Sequence, residues 1–231
     1  VRLSKRYAHG LTLEGAYTYS KMMDYGTGTF SGEALSSGSI QDFNNLRDER
    51  SPSGLDQTHR LILNGVYALP FYSDQRGPVG HVLGGWQVGV IASLYSGSPL
   101  GITSAVNGTF SQGGGQRPNW NGVNPGIGNP VPSRWFDTSV FSNPPAYQFG
   151  NTPRTFNGAR GDATHNFDLS LIKDTRILEK LTLQFRAEAF NLTNTPIFAP
   201  PNTTFGSPAF GTVSSQANQP RVLQFALKLL F

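Results

Sequence analysis

The run RVLQFALKLLF, residues 221–231, places Leu223, Phe225, Leu227, Leu229 and Phe231 on one side of an extended chain and Val222, Gln224, Ala226, Lys228 and Leu230 on the other. Successive side chains of a strand point to opposite faces, so this alternation specifies a β-strand with one wholly apolar face. Upstream, Leu181 to Phe190 opposes Leu181, Leu183, Phe185, Ala187 and Ala189 to Thr182, Gln184, Arg186, Glu188 and Phe190. Asn166 to Asp174 likewise sets Phe167, Leu169 and Leu171 against Asn166, Asp168 and Ser170.

Further upstream the same design recurs in Trp86 to Tyr95, His59 to Leu69 and Leu11 to Tyr19, which brings the count to six. Val1 to Tyr7 is a seventh strand and fits least well, because Lys5 falls among Val1, Leu3 and Tyr7. Most of these runs are about nine to eleven residues long, the length that crosses a bilayer core at a barrel tilt, whereas soluble strands cluster near five or six.

The connections alternate in length. Ala8-His9-Gly10, the turn around Leu178-Glu179-Lys180 and the link from Pro70 to Gly84 are short or moderate, whereas Lys21 to Thr58, Ser96 to His165 and Leu192 to Pro220 are long and hold most of the Gly, Asn, Ser and Pro. Short turns at one end and long loops at the other are the asymmetry of an outer-membrane β-barrel, with periplasmic turns and extracellular loops. Trp86 and Tyr67 then fall near the periplasmic rim and Tyr17 and Tyr19 near the opposite one, as an aromatic girdle requires. Lys5 and Lys173 intrude on apolar faces close to periplasmic strand ends, where their stems are expected to snorkel to the headgroups.

Composition agrees. The 231 residues include 27 Gly and 16 Phe but no Cys, and only 14% are charged, which is too aromatic for disorder and too glycine-rich for helices. Without cysteine there are no disulfides, thiolate metal sites or cysteine nucleophiles. The net charge of +4 is scattered, not gathered into a stripe, so nucleic acid is not an expected partner. No stretch has the length of unbroken apolar residues that a membrane-spanning helix needs.

Seven strands cannot close an up-and-down antiparallel barrel, because the first and last would meet in parallel. An open edge in hydrocarbon would leave backbone groups unpaired at several kcal/mol each, so strands upstream of Val1 are expected. Val1 itself falls inside an apparent strand, with no signal peptide before it, and the chain reads as a piece of something longer.

The run NFDLSLIKDTRILEKLTLQFRAEAFNLTNTPIFAPPNTTFGSPAFGTVSSQANQPRVLQFALKLLF, residues 166–231, closely resembles the C-terminal end of TonB-dependent outer-membrane transporters of the Oar-like group. THRLILNGVYALPF, LGGWQVGVIASLYSGSPL and SRWFDTSVF resemble that group's strand and loop motifs, so the resemblance spans essentially residues 1–231. It implies an all-β fold, an antiparallel transmembrane β-barrel segment supplying about the last seven strands of a 22-stranded barrel. The plug, the TonB box and the N-terminal regulatory-like domain are absent from these residues. The implied function is ligand uptake across the bacterial outer membrane, with the TonB system acting through the plug. The resemblance also implies an assembly signal in the last strand, with Gln224, Ala226, Leu229 and Phe231 at its positions. Ala226 stands where the group favours Gly. Outer-membrane lipid and the barrel-assembly machinery are the implied partners.

Catalytic chemistry is not expected. The four histidines are far apart with no metal-ligand spacing, and they read as turn or strand-end residues. Gly26-Thr27-Gly28 and Gly113-Gly114-Gly115 lack a following helical pattern and read as loop glycines. Asp42, Asp48, Glu49 and Asp56 share an oxygen-rich loop able in principle to hold calcium, but at no calcium-loop spacing. No cofactor is expected. Asp168, Arg186 and Glu188 project into the lumen from adjacent strands, where opposite charges can pair or contact a plug. Trp120, Trp135, Phe136, Tyr147 and Phe149 lie in the longest loop, with a composition able to stack on a sugar or peptide ligand or to pack the loop on itself. The rival readings are a passive porin or adhesion-type barrel, and a secreted carbohydrate-binding β-sandwich in which Phe185, Phe225, Leu227 and Leu229 would meet inside a two-sheet core.

Overall fold

Seven antiparallel strands, joined in sequence order, form one large sheet in the computed structural model, which describes residues 1–25, 40–42, 44–109, 116–178 and 180–231. They are β1 (Arg2–Ala8), β2 (Leu11–Tyr19), β3 (His59–Ala68), β4 (Trp86–Tyr95), β5 (Thr164–Leu178), β6 (Leu181–Phe190) and β7 (Val222–Leu230). The two glycine runs and Glu179 lie outside the described residues. Among the described residues no helix is long and apolar enough to cross a membrane, which says nothing about crossing by strands.

Cross-strand register aligns the apolar faces. Leu13, Gly65, Val90, Leu169, Ala189 and Leu223 form one continuous row from β2 to β7. Thr12, Val66, Gly89, Ser170, Glu188 and Gln224 form the matching row on the other face. Leu13 lies near the turn end of β2 whereas Leu223 lies near the loop end of β7. The rows therefore climb along the strands, which is the stagger a tilted, curving sheet requires.

The apolar face is bare. Phe225 is 68% exposed and Leu227 66%, and no second sheet among the described residues covers them, which overturns the sandwich reading. The sheet is not closed: β1 and β7 are its two edges.

The β1–β2 hairpin turns through His9 and Gly10, both at positive φ (54° and 78°), the pairing that matches strand twist in a two-residue hairpin. A Cβ on Gly10 would lie 2.6 Å from the Ala68 carbonyl oxygen, so the turn tolerates no side chain there. Three features depart from the sequence reading. Strand β5 runs on to Leu178, past Asp174, and the β3–β4 link contains a helix, α1 (Gly77–Leu83), opened by Pro78. Lys173 does not snorkel. It is buried, its Nζ donates to the Gly84 carbonyl, and it lies 5.8 Å from the centre of the Trp86 ring. A carbonyl within reach of the four-carbon stem satisfies the ammonium more directly than water beyond the rim.

Candidate functional site

The long loops fold into a cap at one end of the sheet, with its own core. Leu100, Ile102, Trp135, Phe136, Val140, Phe141, Phe156 and Ala159 are buried together, and Phe198, Phe205, Phe210 and Val213 from the β6–β7 loop pack against them. Phe136 meets Phe210 edge-on at 5.2 Å, and Phe141 meets Phe156 edge-on at 5.8 Å, the geometry the aromatic quadrupole favours. The Trp135 indole N–H donates to the Arg160 carbonyl at 2.9 Å.

This packing corrects two ligand candidates. Trp135 and Phe136, at 5% and 1% exposure, are sealed inside the cap and cannot stack on a ligand. Trp120 is half-buried with its ring edge-on to Phe156, and Tyr147 is exposed.

Beside this core, among the described residues, three ion pairs join the β2–β3 loop (20–58) to the β4–β5 loop (96–163). Arg117 grips Glu49 with both guanidinium arms, at 2.6 and 2.9 Å, and both side chains are almost wholly buried. Arg154, fully buried, donates to the Asp24 carboxylate and to the Glu49 carbonyl. Arg160 donates to Asp56 at 2.7 Å and to the Gly97 carbonyl at 2.9 Å. Glu49 and Asp56, considered above as calcium ligands, are therefore committed to arginines.

Burial pushes the Asp56 carboxyl up, but the Met22 N–H, the Arg160 guanidinium and the Thr58 hydroxyl together outweigh it and hold the group below its ordinary 3.8. A depressed folded-state value means that Asp56 stabilises the cap fully above the unfolded-state value and loses that contribution as pH falls through the folded one. Acid is therefore expected to loosen hydrogen-exchange protection around Met22 and Arg160 only below about pH 4, and Asp56→Asn should remove that acid step. Loss of protection between pH 5 and 7 would contradict the assignment.

The polar face carries the second group of candidates. A cavity of about 300 Å³ lies against it, lined in part by Thr12, Asn64, Asp168, Arg186, Glu188 and Phe190. The expected charge pairing across strands takes another form: Arg186 binds Glu188 along β6 at 2.9 Å. Asp168 instead accepts the Asn191 backbone N–H at 2.9 Å and the Asn166 amide at 3.0 Å, holding the turn that leaves β6. Arg186 Nε is buried and has no hydrogen-bond partner among the described residues. Nearer the turn end, Asp174 accepts from Gln87 on β4 and Gln184 on β6, a bridge across three strands.

At the sheet's edge, β7 sets Gln224 opposite Glu188, Ala226 opposite Arg186 and Leu229 opposite Leu183, with Phe231 exposed just beyond. Its outer edge pairs with no strand among the described residues.

The model of the family described as the outer membrane beta barrel domain matches residues 1–224. The chain belongs to that family. This outer-membrane barrel domain therefore resides in the bacterial outer membrane. No curated protein and no solved structure matches its sequence.

The ion pairs of the cap were the main omission of the sequence reading, and a signal for them existed. Residues 20–58 carry six carboxylates against three cations, whereas 96–163 carry four arginines against two aspartates. Loops of opposite charge on strands that neighbour one another are placed to meet.

Proposed function

We propose that this barrel domain is the C-terminal wall of an Oar-like TonB-dependent transporter that takes up a ligand across the outer membrane. In this reading the bare apolar face meets lipid, the polar face bounds a water-filled lumen, the cap is extracellular, and further strands complete the edges at β1 and β7. Barrel-assembly machinery reads β7 through Gln224, Ala226, Leu229 and Phe231. The plug, driven by the TonB system, opens the lumen.

The observation that carries the reading is the charged cavity on the polar face. Arg186 and Glu188 line it as a part-exposed ion pair, which a plug surface in the lumen would meet. On the outer side, a recess of about 550 Å³ bounded by Asp42, Asn45, Asp48, Trp120, Phe149 and Asn151 offers rings and polar groups to a sugar or peptide. Tyr147 is a further exposed ring of the cap. The sealed ion pairs keep the frame of this recess rigid, which lowers the ordering cost of capture.

Uptake by the full-length protein is expected to stop when the proton-motive force is collapsed, and Arg186→Ala is expected to weaken plug retention. Uptake that continues without the proton-motive force points to a passive porin, and surface binding with no uptake at all points to an adhesion-type barrel. An Arg186→Ala protein unchanged in both plug retention and uptake removes the plug-docking role.

A further inference from the structure

The β3–β4 link is a built ledge, not a slack turn. The buried Gln75 side chain behaves as an extra strand residue: its Nε2–H donates to the Asp174 carbonyl at 2.7 Å, and its Oε1 accepts the Arg176 N–H at 3.0 Å. It thereby satisfies the stretch of β5 that extends beyond β4. Gln75 and Tyr72 are both held at positive φ (52° and 48°), a conformation that non-glycine residues keep only when their surroundings enforce it. A Cβ on Gly84 would lie 2.0 Å from the Tyr72 carbonyl oxygen, so the two ends of the ledge are in direct backbone contact.

This rigid element presents apolar side chains outward. Val79 and Val82, one turn apart on α1, are 57% and 65% exposed, and Leu83, Phe71 and Tyr72 are exposed as well. The position of α1 is fixed by the Trp86 indole, which donates to the Val82 carbonyl at 3.0 Å. Trp86 belongs to the apolar face, in register with Lys173, whose ammonium bonds the Gly84 carbonyl. The exposed valines therefore continue the apolar face past the ends of the strands. Helix α1 carries no carboxylate, and its one ionisable side chain is His81, with Arg76 just before it.

We propose that α1 is a membrane-surface foot, which seats Val79, Val82 and Leu83 at the headgroup and acyl boundary of the periplasmic phospholipid leaflet and fixes how deep this side of the barrel sits. The proposal rests on the apolar face being the lipid-facing one. A lipid surface suits this ledge because its apolar side chains are continuous with that face, and because depth control needs the rigidity that Gln75 provides.

These 231 residues contain no cysteine, so, with any cysteine elsewhere in the full-length protein replaced by serine, a single cysteine can carry an environment-sensitive nitrobenzoxadiazole label. The full-length protein is reconstituted in vesicles of phosphatidylethanolamine and phosphatidylglycerol carrying nitroxides either near the headgroup or deep in the chains. Label at Val82→Cys is expected to be quenched at least about twofold more by shallow than by deep nitroxide, and to resist aqueous iodide. Label at Lys180→Cys, in the β5–β6 turn, should respond to iodide alone, and label at Leu227→Cys to the deep nitroxide. A Val82→Cys label that follows Lys180→Cys, or one shielded from both iodide and lipid nitroxides by protein, overturns the foot. A Leu227→Cys label that no lipid nitroxide reaches overturns the lipid-face reading itself, which distinguishes the two failures.

Discussion

Leu227→Arg is expected to impair insertion of the barrel by about 2 to 4 kcal/mol, whereas Gln224→Arg is expected to be tolerated. Leu227 lies opposite Phe185, whose ring stacks on Phe225 at 6.4 Å, and the leucine side chain is 66% exposed on the apolar face. In hydrocarbon an arginine there has no partner and must either bend to the headgroups or draw water inward. Gln224 lies on the opposite face beside Glu188, where a guanidinium gains a carboxylate. The folded fraction in outer membranes, read from heat-modifiable mobility on gels, separates the two. Equal tolerance would contradict the assignment of faces.

Glu49→Ala is expected to destabilise the cap by about 3 to 5 kcal/mol without preventing insertion of the sheet. Both arms of Arg117 end on Glu49, and removing the carboxylate leaves a guanidinium buried with no counter-charge. The loss should show as faster hydrogen exchange around Arg117 and Gln41, whose backbone N–H also donates to Glu49 at 3.0 Å, and as new trypsin cleavage after the otherwise fully buried Arg154. Combining Glu49→Leu with Arg117→Met should restore much of the protection, because a matched apolar pair replaces a matched ionic one. An undisturbed cap in Glu49→Ala would mean that the aromatic core alone holds the loops.

The sheet was legible because its signal is local. Strands β2, β4 and β6 begin and end where the alternation does, from Leu11 to Tyr19, Trp86 to Tyr95 and Leu181 to Phe190. Strand β5 outran its reading because Lys173 on the apolar face looked like a strand end, whereas Gln75 from another segment supplies the hydrogen bonds that let β5 continue. Helix α1 was missed because Gly77, Pro78 and Gly80 are poor helix formers, and the turn is held instead by its docking on β5 and Trp86.

The cap was less legible because its interactions are remote in sequence. Glu49 and Arg117 are 68 residues apart, and Asp24 and Arg154 are 130 apart, so no motif spacing could show either pair. Trp135 and Phe136 illustrate the reverse difficulty. An aromatic pair in a long polar loop has the same composition whether it binds a ligand or seals a core, and only the arrival of Phe198 and Phe210 from a separate loop decides between them. Asp168 and Arg186 alternate with the apolar side chains of β5 and β6, but their partners depended on side-chain reach along and beyond the strands.

The most direct test of the account is a nitroxide scan by single cysteines from Val222 to Leu230, with the full-length protein in lipid bilayers. Oxygen, which concentrates in hydrocarbon, should reach positions 223, 225, 227 and 229, and a water-soluble nickel chelate should reach 224, 226 and 228, so that the two profiles alternate out of phase with a period of two residues. Profiles without alternation, or with the chelate reaching the odd positions, would contradict the claim that the apolar face of this sheet was built against lipid.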